Sequence, residues 1–349
     1  MGKGNKQKSD QQFLVTHKGV AYDIAPFLAQ HPGGLAHVEP YRGKNISHLL
    51  KSRHGSTESE SSLVHSLSAT YLLNQYRISD DPKDKDLANN NKTTNGVKTK
   101  QSPEEKPGEV EDLEHFVDWR KGMLNQVASL GPKYSQWVNL PVDKHLILFD
   151  NPTLEKMSRA KWYYVPIFWI PIFFAFLYVH YSGGFSHVTT ICGLVLGAFL
   201  WTALEYTLHR WLFHMEPPSH SPRLITFHFL IHGIHHKVPF DGTRLVFPPA
   251  GSSILGMVLY LIFRTILPTS ILNSTAAGVT LGYMFYDMFH YYLHFGAPKP
   301  SSHFYYMKRY HNQHHFSQHE SGYGITSPLW DVVFDTKIVL KKLAKAIKW

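Results

Sequence analysis

The sequence predicts two bodies of different class: a small α+β domain near the N-terminus, and an all-α integral membrane domain with four transmembrane helices and a helical, histidine-rich cap on the cytosolic side. Three observations predict this. Residues 11–79 mix short apolar alternation with helical spacing. From Trp162 onward, apolar stretches approach the about 20 residues that cross a bilayer core. Histidine is heavily over-used, at 24 of 349 residues, and it clusters beside those stretches.

The bulk properties narrow the class. Hydrophobic residues make up 43% of the chain, yet mean hydropathy is slightly negative, as expected of a polar half joined to an apolar one. The one cysteine, Cys192, excludes disulfides and any cysteine-based metal site. A formal charge of +9 calls for an anionic partner. The basic residues are scattered, with no nucleic-acid-binding signature, so the cytosolic face of a lipid bilayer is expected and nucleic acid is not. Residues 1–10 are polar, with no apolar run behind them, so no secretory signal is expected.

The elements follow in order. Phe13-Leu14-Val15 and Val20-Ala21-Tyr22 flank His17-Lys18-Gly19, a hairpin start. Helical stretches follow at residues 24–29 and 63–76, which completes a domain over 11–79. Residues 80–108 are rich in Asp, Lys, Asn, Pro and Glu, bury nothing, and are expected to be a flexible linker. Residues 109–160 regain apolar spacing at Phe116, Trp119, Met123, Val127 and Leu130, which predicts an amphipathic helix and connector near the membrane. The membrane domain, 161–349, holds spans at roughly 162–181, 188–208, 250–271 and 276–295. The short intervals 182–187 and 273–275 lack Lys and Arg, whereas the other flanks are basic. Both termini and the loop 209–249 are therefore expected in the cytosol, and the sequons at Asn45 and Asn91 are expected to be unglycosylated.

Two constellations carry chemistry. His31-Pro32-Gly33-Gly34 follows an apolar helix, and its glycines let the backbone approach a flat ligand. A six-coordinate haem b needs a second imidazole from the opposite wall. His65, which heads a helical pattern, is the first choice and His54 the alternative. The second constellation is four clusters of ten histidines: His209 and His214; His232, His235 and His236; His290 and His294; His311, His314 and His315. His290 and His294, at i and i+4, share a helix face. His232 with His235 or His236 repeats that spacing, as does His311 with His314 or His315. Neutral imidazoles suit iron or zinc, and ten are enough for two metals. Two membrane hairpins would bring all four clusters to one side. No catalytic residue is expected beyond these ligands. Glu205, Asp287 and Glu320 are candidates for orienting the imidazoles.

The His-Pro-Gly-Gly run resembles the cytochrome b5 family, in which that histidine is an axial haem ligand. The interval to His65 is longer here, with extra residues around 51–62. The histidine clusters resemble the fatty acid hydroxylase and sterol desaturase superfamily, and the b5–linker–membrane order resembles its b5-fused fatty acyl 2-hydroxylases. The segments 117–121, 209–214, 227–236 and 310–316 carry that resemblance, which spans nearly the whole chain. It implies a di-iron centre that uses O2 to hydroxylate C2 of a long acyl chain. The substrate would be a fatty acid, an acyl-CoA or a ceramide, and the (R)-2-hydroxy product would serve sphingolipid synthesis. It implies electrons from NAD(P)H-cytochrome b5 reductase through haem b, and residence in the endoplasmic reticulum membrane. Zinc could replace iron in a purified sample. Two alternatives share features: a b5-fused fatty acyl desaturase, whose first box is usually H-x-x-x-H and whose last box begins with glutamine, and a sterol oxidase, which usually lacks the b5 domain. Here the first box is H-x-x-x-x-H and His311 heads the last.

Overall fold

The computed structural model describes residues 12–50, 65–78, 111–343 and 345–349. The expected linker 80–108, the extra residues 51–62, His54 and Asn91 lie outside these. The chain divides into two compact units, residues 1–112 and 113–349.

In the first unit, β1 (Leu14–His17) and β2 (Val20–Asp23) form an antiparallel hairpin, with Leu14 opposite Asp23 and His17 opposite Val20. Lys18 and Gly19 make the two-residue turn, both at positive φ (49° and 81°), the geometry that matches strand twist. The expected helix at 24–29 is a tighter 3-10 helix, Ala25–Gln30. Then come α1 (Leu35–Val38) and α2 (Leu67–Asn74). Phe13, Val15, Tyr22, Ile24, Val38 and Leu73 form the core.

The second unit opens with a difference from expectation. Residues 111–133 form short 3-10 turns rather than one amphipathic helix. Gly122 packs against the backbone of Asp150, and Gly131 takes a φ of 47° before Pro132, which lacks an N–H donor. The apolar positions do their expected work without a helix: Met123, Val127 and Leu130 are buried. Short helices α3 (Tyr134–Val138) and α4 (Pro152–Ser158) follow.

Four long helices follow: α5 (Tyr164–Ser182), α6 (His187–Thr207), α9 (Pro249–Ile266) and α10 (Thr269–Phe295), with α7 (Pro222–His228) and α8 (Ile234–Lys237) between α6 and α9. Among the described residues, three helices are long and apolar enough to cross a membrane, not the expected four: α5, α6 with its extension to Phe213, and α9. They turn large apolar side chains outward, such as Phe174, Ile191 and Met257. Helix α10 differs because it packs along α5 and α6. Its first half reads Ser274-Thr275-Ala276-Ala277-Gly278, all buried. A Cβ on Gly197 of α6 would come within 2.8 Å of Gly278 Cα. Small residues permit that approach and lower the helix's hydropathy. The boundary between α9 and α10 also moves, from the expected 273–275 to Leu267-Pro268, because proline cannot continue a helix and holds its predecessor extended. The chain ends with α11 (His303–Phe316) and α12 (Leu329–Val333).

Candidate functional site

The first histidine pair depends on an unusual turn. His209 and His214 are five apart, and an α-helix would set them about 140° apart around its axis. Beyond Thr207, α6 widens into a π-helical segment, Leu208–Phe213. The His214 N–H donates to the His209 carbonyl at 3.0 Å, an i to i+5 bond, and the two rings face each other with centroids 4.8 Å apart. A second π-helical turn, Phe229–Gly233, carries His232 into α8. Such turns recur at functional sites. The five-residue spacing of the first box was their signal in the sequence.

The ten histidines divide into two quintets. His209, His214, His232, His236 and His314 form one; His235, His290, His294, His311 and His315 form the other. Within each, the nitrogens able to bind a metal lie within 4.8 Å of one another. Each H-x-x-H-H run is split. Its first and third histidines serve one quintet, at i and i+4, and its middle histidine crosses to the other. His235 and His314 are the crossing pair. Closest approaches are His294 Nε2 to His311 Nε2 at 2.8 Å and His236 Nε2 to His232 Nε2 at 3.0 Å.

Eight of the ten are buried, and His214 and His294 are half-buried. Burial first, and then neighbouring histidines, hold His232, His235, His236, His311 and His315 well below the ordinary imidazole range. These side chains are neutral and keep a lone pair. A metal bound to imidazoles at about 2.0–2.1 Å brings their nitrogens within about 4 Å of each other, and the observed convergence fits that requirement.

Backbone carbonyls orient two rings of the first quintet. His209 Nδ1 donates to Tyr323 O at 2.6 Å and His314 Nδ1 to Ser321 O at 2.8 Å, which leaves each Nε2 for a metal. Both carbonyls belong to one loop, pinned by two buried carboxylates. Glu205 accepts from the N–H groups of Ile325 and Thr326 at 2.8 and 2.7 Å. Asp331 accepts from those of Tyr323 and Gly324, both at 2.9 Å. Gly322, at φ 75°, takes the left-handed turn, and a Cβ there would strike Ile338. Glu205 thus holds the loop rather than an imidazole, Asp287 accepts from Tyr283, and Glu320 is exposed. None of the three orients a ring as expected. The two carbonyls do that work, on a loop that Glu205 and Asp331 hold; carbonyls leave no trace in residue type. Outside the quintets, His228 Nδ1 meets Tyr134 OH at 2.5 Å and His303 Nε2 donates to Thr326 O.

A cavity of about 500 Å³ reaches the quintets at His232, His235 and His290, and runs between α5, α6, α9 and α10 to Tyr260 and Asn273. Its walls are mainly apolar, and its size is typical of small-molecule sites, about 300–1,000 Å³.

In the first unit, His31 and His65 face each other with ring centroids 6.0 Å apart. Two imidazoles bound to one ion at about 2 Å give about that separation. Burial, then His65 and His37, bring the His31 imidazole down to about 3, so it is neutral. His65 Nδ1 lies 3.3 Å from Leu49 O. A Cβ on Gly33 would lie 3.0 Å from the His31 ring, so the motif's first glycine leaves that ring room; the second, Gly34, takes φ 71° at the start of α1. The two facing imidazoles suit the two axial positions of a haem.

Comparison with known proteins now bears on this geometry. Residues 194–336 match the family model described as fatty acid hydroxylase, and residues 3–80 match the cytochrome b5-like haem/steroid binding domain. The fatty acid 2-hydroxylase of Rattus norvegicus is 39% identical over 338 residues, covering 91% of this chain and 89% of its own. The chain belongs to the fatty acid 2-hydroxylase family. Within that family, a dihydroceramide fatty acyl 2-hydroxylase of Arabidopsis thaliana is 38% identical over 66% of this chain and 97% of its own. A solved structure of full-length scs7p, with only the hydroxylase domain visible, matches with a TM-score of 0.59 and 32% identity, covering 64% of this chain and 86% of that one.

Proposed function

We propose that this chain hydroxylates C2 of long fatty acyl chains with O2, giving (R)-2-hydroxy acyl groups for ceramide and other sphingolipids. Membership of the 2-hydroxylase family makes it a hydroxylating oxidoreductase. The observation that carries the reading is two buried all-histidine quintets at the end of an apolar cavity lined by membrane helices.

The ten histidines are assigned as ligands of two iron ions, and His31 and His65 as axial ligands of haem b. When bound, the irons would supply O2 activation and the haem would supply electrons drawn from NAD(P)H-cytochrome b5 reductase. The protein's own part is placement. The cavity takes the acyl chain and leaves C2 beside His235 and His290. Burial keeps the imidazoles neutral and excludes water. The loop carbonyls fix the protons of His209 and His314 on Nδ1. Positioned this way, a chain whose carbons are otherwise alike is attacked at one of them.

The domain limits are read as 11–79 for the haem domain, 80–108 for a linker, 109–160 for a connector and 161–349 for the hydroxylase domain. Location in the endoplasmic reticulum membrane rests on the resemblance to b5-fused fatty acyl 2-hydroxylases, and the cytosolic placement of both termini and the histidine cap rests on basic flanks and on the absence of Lys and Arg from residues 183–186. Helix α10 crosses with the other three in this reading, sheltered by α5 and α6.

Lipid mass spectrometry of cells expressing wild type and His311→Ala tests the reaction. A rise in 2-hydroxy acyl ceramides with wild type alone is expected. No rise from a folded, haem-loaded wild type would sink the reading and direct the search to unsaturated or sterol products.

A further inference from the structure

The cavity has a far end, and its chemistry differs from that of the walls. Tyr260 of α9 stacks on Phe176 of α5, with centroids 5.5 Å apart at 30°. Its hydroxyl donates to Asn273 Oδ1 of α10 at 3.1 Å. All three residues line the cavity. One side chain therefore ties three helices together across the channel, and the hydrogen bond satisfies both polar groups in apolar surroundings. Swinging Tyr260 aside would leave a hydroxyl and an amide unpaired, so this closure resists displacement by a hydrocarbon.

Four residues before Tyr260, about 6 Å along α9, the wall thins at Gly256. A Cβ there would lie 3.3 Å from Trp169 Cη2, and both residues line the cavity. A larger side chain at Gly256 has nowhere to go except into the ring or the channel.

The distance between the ends fixes a scale. Asn273 precedes His290 on α10 by 290 − 273 = 17 residues, or about 25 Å at about 1.5 Å per residue. One leaflet of a bilayer core, which its acyl chains fill, is about 15 Å deep, half of about 30 Å. The channel is thus longer than a leaflet is deep, and it suits an extended long acyl chain.

We infer that Tyr260, braced by Phe176 and Asn273, is the floor that sets the longest acyl chain accepted, and that Gly256 keeps the channel open just short of that floor. The inference rests on the C2-hydroxylation reading: with C2 held at the histidines, the rest of the chain must lie toward Tyr260. Both residues are specificity determinants that stand away from the reacting carbon.

The test expresses the full chain, as wild type, Tyr260→Ala, Tyr260→Phe and Gly256→Leu, in cells without their own 2-hydroxylase. The readout is the ratio of 2-hydroxylated to unmodified acyl groups at each chain length. Tyr260→Ala should raise the longest-to-shortest product ratio about tenfold, the low end of what one methylene can discriminate in an apolar pocket. Gly256→Leu should lower it by a similar factor, losing the longest products first. Tyr260→Phe keeps the ring but loses the Asn273 bond, so it should shift the profile in the same direction by less than alanine does; a shift as large as alanine's would overturn a floor made of bulk. Profiles that stay the same in Tyr260→Ala and Gly256→Leu, or that fall equally at every length, would overturn the inference while hydroxylation by wild type stands. A wild type that makes no 2-hydroxy product would instead sink the reading beneath it, and this inference with it.

Discussion

The two histidine quintets hold the same number of the same ligand, yet they are built differently. The first, centred on His209, His232 and His314, borrows rigidity from a loop outside the helices. Tyr323 and Ser321 carbonyls hold two of its rings, and Glu205 and Asp331 hold the loop. The second, centred on His290, His294 and His311, relies more on packing: a backbone carbonyl, that of Pro239, holds the His294 ring. Among the described residues, Nδ1 of His235, His311 and His315 meets no hydrogen-bonding partner. Helices fix them instead: His235 stands on α8 and His311 and His315 on α11, while α10, which carries His290 and His294, packs along α6. A hydrogen-bonded mount can be loosened by one carboxylate, whereas a packed mount yields only when helices move.

The crossing histidines offer the harshest break. His235→Ala should strip a ligand from the second quintet and His314→Ala from the first, although each sits among ligands of the other. Either change should cut 2-hydroxy product more than ~100-fold, beyond the 10–100-fold usual for residues that orient ligands. Elemental analysis should show each variant losing metal from one quintet while the other stays loaded. Loss of all metal from both variants would mean that the quintets act as one site.

Asp331→Asn sharpens the contrast. It keeps the shape of the side chain but weakens its grip on the Tyr323 and Gly324 N–H groups. Metal affinity should fall about 10–100-fold at the first quintet and stay level at the second, giving a two-phase chelator titration where wild type gives a narrower one. Equal loosening of both quintets would erase the distinction.

Much of this was legible in the sequence, for reasons that have limits. The ten histidines stand out by residue type, and i, i+4 spacing pairs His290 with His294 without a structure. The split of each H-x-x-H-H run was not legible, because choosing between His235 and His236 requires knowing where α10 and α11 lie. Glu205 caught attention because it lies close in sequence to His209, but its partner is a backbone segment 120 residues away. The four-span reading counted α10 with the others, whereas the small residues that let it approach α6 closely leave it less apolar than α5, α6 and α9. Residues 111–133 misled in another way: Met123, Val127 and Leu130 are buried, but Phe116 is exposed and the chain forms short 3-10 turns instead of a helix.

That close approach gives the next perturbation. A Cβ on Gly278 would meet Leu194 O at 2.4 Å, so Gly278→Ala must push α10 from α6. Overpacking of this kind costs about 1–3 kcal/mol and should appear as a lower midpoint of thermal unfolding in detergent. Because α6 carries His209 and α10 carries His290, both quintets should weaken together, by less than Asp331→Asn weakens the first alone. An effect confined to one quintet would show that the helix pair does not couple them.

The smallest expected effect on the quintets comes from a charged pair that touches neither. Glu155 accepts from Arg244 at 2.5 Å and from Arg159 at 2.8 Å. Burial alone would raise its carboxyl; the Arg159 bond and the Phe149 and Leu148 N–H groups outweigh that and hold it below the ordinary glutamate value. A carboxylate lowered in this way stabilises the fold fully above its unfolded pKa, about 4.3, and loses that contribution as the pH falls through the lower, folded value. Glu155→Gln has no such proton to gain. In metal-free protein the wild type should therefore exceed Glu155→Gln in stability by about 1.5–3 kcal/mol at neutral pH, the range for hydrogen bonds to charged groups. The gap should close below about pH 4, while metal binding at neutral pH stays the same at both quintets. A gap that persists unchanged into acid would show that Glu155 acts through shape rather than charge.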